Sequence, residues 1–302
     1  MPDSPGLAIR VYAACWVMTR NRIIEGDNLE VLPTLPDGAA ALIYVDPPFN
    51  TGRSRKHTRV KVERAEPGEG DRVGFGGRSY KTTALGSAGY ADAFDDFGAF
   101  LMPRLEQAHR LLAPNGSFFL HLDPRESHYA KVMADTVFGR DAFLNEIIWS
   151  YDYGGRSKRR WPSKHDTILW YAKDPKRYTF HYDAIDRIPY MAPGLVSAEK
   201  AARGKTPTDV WWQTIVPTAG KERTGYPTQK PLKILERIVR VHSSPGDLVL
   251  DFFAGSGTTG EAAALNDRRF LLVDENPEAI AVMKDRLAFA APEISKHNAA
   301  DN

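Results

Sequence analysis

The 302-residue chain has a single cysteine, Cys15, so no intramolecular disulfide can form and no cysteine-rich zinc site can be assembled. That scarcity agrees with a reducing compartment, and a cytoplasmic protein is expected. Long apolar runs are missing too. Residues 7–18 are mildly apolar, but Arg10 interrupts them and Arg20 and Arg22 close them, which leaves too little to span a bilayer. No basic region precedes the stretch and no clear small-residue cleavage site follows, so it does not read as a signal peptide. The chain also lacks an excess of one charge. Forty Lys and Arg against 38 Asp and Glu leave a formal +2, so any nucleic-acid surface must arise from local clustering. Internal repeats are absent, and no His, Asp or Glu grouping has metal-ligand spacing, so no metal is expected.

What is present is a series of short apolar runs. Residues 39–45, 116–123, 167–172, 247–253 and 269–274 read as strands buried on both faces. Helical patterns over 100–112, 231–241 and 260–265 separate most of them. Strands alternating with helices predict an α/β fold with a doubly wound, largely parallel sheet. Two stretches break the alternation. Residues 53–89 are polar, charged and glycine-rich and predict a long inserted loop. Residues from 151 to about 225 mix basic runs with aromatics and prolines and predict a small inserted lobe. Residues 1–21 and the tail 288–302 are expected to be loose.

Asp46-Pro47-Pro48-Phe49 stands at the carboxyl end of the first apolar run, the edge where open α/β sheets hold ligands. The chemistry that needs such a group is transfer to an aromatic amine, whose lone pair is delocalised into its ring. A carboxylate (Asp46) and a rigidly directed carbonyl (Pro47) can accept both N–H bonds and free that lone pair, while Pro48 fixes the direction of the Pro47 carbonyl. Phe49 can stack on a base taken out of a duplex. The competing reading is a strand merely ended by proline.

Asp251-Phe252-Phe253-Ala254-Gly255-Ser256-Gly257-Thr258-Thr259-Gly260 follows a strand and opens a helix. Its glycines satisfy the dinucleotide-binding pattern, and Asp274 ends the next strand at the spacing of a ribose-binding acid. Asp251 argues against a dinucleotide, because it would face an anionic pyrophosphate. S-adenosylmethionine (SAM) instead carries an ammonium and a sulfonium, which a carboxylate favours, while loop amides can hold its carboxylate and Asp274 its ribose.

Together these residues resemble the β class of DNA amino-methyltransferases, whose circularly permuted chain places the catalytic motif before the SAM loop. The resemblance spans about residues 22–287 and adds Gly26-Asp27-Asn28 and Thr224-Gly-Tyr-Pro-Thr-Gln-Lys-Pro231. It implies a SAM-dependent transfer to adenine N6 of a flipped base. Asp27 would contact the SAM adenine, Asp274 its ribose and Lys230 the methionine carboxylate. The loop residues Asp251, Phe253, Gly255, Ser256, Gly257, Thr258 and Thr259 would line the cofactor. Target recognition would fall in residues 151–216. Cytosine N4 is the alternative target, since its amine poses the same problem; Asp at position 46 favours adenine, where Ser is frequent among N4 relatives. More distant alternatives are a dinucleotide-dependent oxidoreductase and a non-catalytic DNA-binding module. Related enzymes are often homodimers, so a dimer is expected, and a restriction endonuclease partner is left open.

Arg156, Lys158, Arg159, Arg160 and Lys164 crowd around Trp161 and offer a phosphate-contacting edge on double-stranded DNA. Arg53, Arg55 and Lys56, with Arg59 and Lys61, form a second basic run just after the catalytic motif and read either as DNA contacts or as a solvated segment. Trp149, Trp170, Trp211 and Trp212 are expected to pack, and His121 and Asp123 to be structural.

Overall fold

The structure, a computed structural model, describes residues 20–48, 55–64, 72–73, 79–90, 96–217 and 220–297. The chain divides into two compact units: one formed by residues 1–49 and 96–302, the other by 50–95.

In the larger unit a nine-stranded sheet runs β12-β1-β11-β10-β2-β6-β8-β7-β9. Its strands are β1 (Arg22–Glu25), β2 (Ala40–Val45), β6 (Leu112–Leu122), β7 (Phe143–Ser150), β8 (His165–Ala172), β9 (Val210–Trp212), β10 (Leu248–Asp251), β11 (Arg269–Asp274) and β12 (Glu293–Lys296). From β12 to β6 all neighbours pair in parallel; β8 runs antiparallel to both β6 and β7. The helices are α1 (Asn28–Val31), α2 (Phe97–Leu111), α3 (Ser127–Phe138), α4 (Ala198–Arg203), α5 (Leu232–His242), α6 (Thr258–Leu265) and α7 (Pro277–Arg286).

Every residue of β2 and of β10 is buried, as the unbroken apolar runs require of central parallel strands. Alternation along β6 builds the two core layers. Phe119 stacks on Trp170 on the face covered by α5, where Ile234, Leu235, Ile238 and Val239 pack. Phe118 points the other way and stacks on Phe138 of α3, 5.0 Å between ring centres. Each such fully buried side chain contributes roughly 1.5–3 kcal/mol of transfer free energy.

Three expectations need correction. Residues 53–89 do not form a loop throughout: β3 (Arg55–Arg64) and β5 (Ser79–Tyr90) pair antiparallel, with the short β4 (Arg72–Val73) beside β5. The valines and threonines in those runs, Thr58, Val60, Val62, Thr82 and Thr83, carry the strand preference that overall polarity concealed. The segment after Leu287 does not fray at once, since β12 adds to β1 in parallel and Glu293 N donates to Asn21 O at 2.9 Å. Finally, Trp212 does not pack: β9 is an edge strand whose burial alternates, leaving Trp211 buried and Trp212 exposed.

Candidate active site

Four acidic residues stand at or just beyond the carboxyl ends of adjacent parallel strands. Asp27 follows β1, Asp274 ends β11, Asp251 ends β10 and Asp46 follows β2. The chain winds from β10 toward β11 but from β2 toward β6. The crevice between Asp251 and Asp46 is therefore the topological switch point, where doubly wound sheets bind ligands.

Asp46 pairs with Lys230 through Oδ2, while its Oδ1 is buried and has no hydrogen-bond partner among the described residues. Lys230 is itself buried, just before α5, and its carbonyl accepts from the Thr258 hydroxyl at 3.2 Å, tying it to the glycine loop. The preceding turn is closed by Gln229, whose Oε1 accepts from Thr224 N and Oγ1 at 2.9 Å and whose Nε2 donates to Glu222 O at 2.8 Å. Pro47 is buried and Pro48 half-buried, whereas Phe49 lies outside the described residues.

Asp251 lies beneath the glycine loop. Its Oδ1 accepts from Phe253 N at 2.9 Å and its Oδ2 from the Thr259 hydroxyl at 2.6 Å. Burial pushes its carboxyl up to about 7 against the pull of those two bonds, and the charges of Asp46 and Asp274 push the same way. Asp274 accepts from Gly255 N at 2.7 Å and Asn276 N at 2.9 Å, and burial raises it to about 6. Gly257 adopts φ +74°, and a Cβ there would meet Met283 Cγ at 2.7 Å. Gly260 lets α6 settle on β11, since a Cβ would meet Leu272 Cδ1 at 2.7 Å. The hydroxyls of Ser256 and Thr258 turn toward Arg286, at 3.2 and 2.9 Å from Nη1, so these two residues shape the loop from beneath.

Asp27 caps α1, accepting from Leu29 N at 2.9 Å. Beside it lies a bolt that the sequence reading missed. Arg104 Nε donates to Asn28 Oδ1 at 2.8 Å, Asn28 Nδ2 donates to Phe252 O at 2.8 Å, and the guanidinium covers the Phe100 ring at 4.0 Å. Phe100 in turn meets Phe253, 5.8 Å between ring centres. A signal was available: Arg104 falls in the apolar stripe of α2 with Leu101, Leu105 and Ala108, where a cation must have partners.

The site therefore gathers Asp27, Asp46, Lys230, Asp251, the glycine loop and Asp274 at one edge of the sheet. The basic segment lies between β7 and β8. Arg156 pairs with Asp152 at 2.6 Å, and Lys164 donates to the carbonyls of Tyr153 and Gly155. Lys158, Arg159 and Arg160 are exposed, and Trp161 is 94% exposed. Arg55 and Lys56 lie in β3 of the smaller unit, and Arg53 is outside the described residues.

Comparison with known proteins agrees with this geometry. The model of the N6/N4 methyltransferase family, described as DNA methylase, matches residues 40–285. The chain is 31% identical over 286 residues to the DNA adenine methyltransferase YhdJ of Escherichia coli, covering 91% of this chain and 86% of that protein. It is 29% identical to the type II methyltransferase M.HpaI of Haemophilus parainfluenzae, covering 88% and 74%. Among solved structures, the M1.HpyAVI–SAM complex superposes with a TM-score of 0.55 at 21% identity, covering 88% of this chain and 98% of that one. The cytosine-N4-specific PvuII DNA methyltransferase gives 0.59 at 14% identity, covering 92% and 98%. These structural likenesses establish the shared α/β fold.

Proposed function

Because this chain belongs to the N6/N4 DNA methylase family, we propose that its switch-point crevice transfers the methyl group of SAM to N6 of an adenine taken out of double-stranded DNA. The observation that carries the reading is the Asp46 carboxylate: one oxygen is held by Lys230 and the other is buried without a hydrogen-bond partner among the described residues. An orphaned buried acceptor costs about 1–3 kcal/mol, a cost removed when a donor arrives. An exocyclic amine is such a donor, and the Pro47 carbonyl is the second acceptor for its other N–H. With both protons held, the nitrogen lone pair leaves conjugation and becomes nucleophilic. Asp46 then takes the proton that the methylated nitrogen sheds. Phe49 is assigned to stack on the base.

The residues present suit the cofactor. Bound SAM supplies an electrophilic methyl on a cationic sulfur. Asp251 and Asp274 are buried carboxylates raised by desolvation, the state that a neighbouring cation or hydroxyl donor relieves. Gly255 and Gly257 let the loop pack closely on Tyr226 and Met283, where a Cβ would meet Tyr226 Cε1 at 3.2 Å and Met283 Cγ at 2.7 Å. Asp27 and Phe253 are assigned to the adenine end and Lys230 to the methionine carboxylate.

Adenine is favoured over cytosine N4 by Asp at position 46 and by the likeness to a DNA adenine methyltransferase. Family membership displaces the oxidoreductase and pure binding-module readings. A cytoplasmic setting and a homodimer belong to the same proposal, as does a restriction endonuclease counterpart; no described helix is long and apolar enough to cross a membrane. The test is direct. The protein is incubated with unmethylated DNA and labelled SAM, and the DNA is digested to nucleosides for mass spectrometry. N6-methyladenine is expected, and Asp46→Ala should abolish it while DNA binding persists. Label on N4-methylcytosine alone would overturn the base assignment, and no label on any base would overturn the reading.

A further inference from the structure

Arg104 is a buried cation that amine activation at Asp46 does not use. Each nitrogen of its guanidinium has a partner. Nε donates to Asn28 Oδ1 at 2.8 Å, Nη1 donates to Phe100 O at 2.7 Å, and Nη2 lies 3.7 Å from Asp27 Oδ1. The group also covers the Phe100 ring at 4.0 Å and stands 5.8 Å from the centre of the Phe253 ring. Burial disfavours its charge, and the carboxylates of Asp27 and Glu275 offset part of that.

Position gives these contacts their meaning. Asn28 opens α1 just after β1, and its Nδ2 donates at 2.8 Å to the carbonyl of Phe252, just after β10. Those two strands are not neighbours, since β11 lies between them and ends in Asp274. The link from Arg104 through Asn28 to Phe252 thus spans two strand spacings, roughly 10 Å, around the acid assigned to the ribose. At one end of it Asp27 is fixed through Oδ1, which accepts from Leu29 N at 2.9 Å and faces Arg104. Its Oδ2 has no hydrogen-bond partner among the described residues, and the side chain is nearly half exposed. At the other end the Phe253 ring meets Phe100, the ring that Arg104 covers. An oriented acceptor and a ring face are what a flat heterocycle with an exocyclic amine requires.

We infer that Arg104 is a positioning residue for the adenine of the cofactor: it fixes Asp27 so that Oδ2 accepts from the adenine amine, and it backs Phe253 through Phe100. Arginine suits this task and lysine does not. Only a planar fork can serve Asn28, the Phe100 carbonyl and Asp27 together while lying on a ring.

This inference rests on the SAM reading, and its test separates the two. The probes are S-adenosylhomocysteine and the analogue whose purine carries hydrogen in place of the amine. Each is titrated calorimetrically into the wild type, Arg104→Met, Arg104→Lys, Asn28→Ala and Asp27→Ala, with folding checked by thermal melting. The wild type should prefer the amine-bearing probe on the order of tenfold, the scale of one hydrogen bond to a charged group. Arg104→Met should weaken both probes through Phe253 and also cut the preference to about threefold or less. Arg104→Lys, which keeps the charge without the fork, should cut the preference too, and Asp27→Ala should abolish it. A merely structural role would change affinity for both probes alike and leave their ratio unmoved. The inference is overturned if the wild type shows no preference, if Arg104→Met leaves the ratio unchanged, or if the preference survives in Asp27→Ala. Should Arg104→Met fail to fold, Arg104→Lys and Asn28→Ala decide by the same ratio. A wild type that binds neither probe overturns the cofactor reading instead.

Discussion

Asp251 shows how one side chain can cost stability and supply affinity. The residue is 3% exposed, burial raises its carboxyl to about 7, and the Thr259 and Phe253 bonds only partly offset that. A group whose folded value lies above its unfolded one stabilises the protein fully below the unfolded value and loses that contribution as pH rises through the folded value. In the ligand-free protein Asp251 and, to about 6, Asp274 should therefore erode stability between about pH 4 and 7, by up to a few kcal/mol for Asp251. SAM favours the ionised form. Its affinity should thus weaken as pH falls from 8 to 5.5, with protons released on binding near pH 7. Calorimetry in two buffers of different ionisation enthalpy measures both; affinity independent of pH, with no proton release, would refute the assignment. Asp251→Asn, which removes the buried charge, should raise the melting temperature at pH 8 yet weaken SAM binding. At this scale the sequence revealed the acids, because strand ends and glycine spacing mark them. It did not reveal Lys230 beside Asp46, or the joining of Tyr44, His121, Asp166 and Tyr151. Those contacts cross 184, 77, 45 and 15 positions of chain, and only tertiary packing brings them together: β2, β6 and β8 set side by side, Tyr151 just beyond β7 and Lys230 just before α5.

Among the elements, the central strands were legible because their signal is local. Burial on both faces demands the continuous apolar runs seen in β2, β8 and β11. Strands toward the margins of the sheet carry no such run: β7, next to the edge strand β9, mixes Asn145 and Glu146 among its apolar residues, and the edge strand β12 is mostly exposed. Their existence depends on partners elsewhere in the chain. The turn from β10 into α6 was legible for a different reason, since its glycines are dictated by backbone geometry and close approach. Two substitutions separate those causes. Gly246→Ala at φ +84°, with nothing within 4 Å of the new Cβ, adds left-handed strain alone and should cost about 1 kcal/mol. Gly257→Ala at φ +74° adds that strain plus the 2.7 Å encounter with Met283 Cγ, and should cost roughly 2–4 kcal/mol. It should also weaken SAM binding, which Gly246→Ala should not. Denaturant melts and calorimetry check both; equal costs would show that Met283 gives way freely.

For the molecule as a whole, near-neutral charge makes the placement of cations decisive. A formal +2 spread over 302 residues gives no general attraction for a polyanion, so association with DNA must rest on clusters whose charges are not already spent. Between β7 and β8, Arg156 is committed to Asp152 and Lys164 to two backbone carbonyls, which makes these two residues braces for the loop. Lys158, Arg159 and Arg160 remain exposed beside Trp161, and no ion pair engages them among the described residues. Five basic residues in the sequence thus reduce to three available ones in the structure, a distinction that composition could not draw. Each phosphate neutralised contributes about 0.9 to the slope of log affinity against log salt on duplex DNA. Changing Arg159 and Arg160 together to Ala should therefore weaken DNA binding at low salt and flatten that slope by up to about two, while SAM affinity stays unchanged. Changing Arg156 and Lys164 instead should leave the slope nearly as it was, because their charges are engaged within the loop. Titrations of labelled DNA across a salt series distinguish the two pairs. An unchanged slope in the Arg159 and Arg160 variant would mean that the segment is a solvated loop and that the phosphate contacts lie elsewhere.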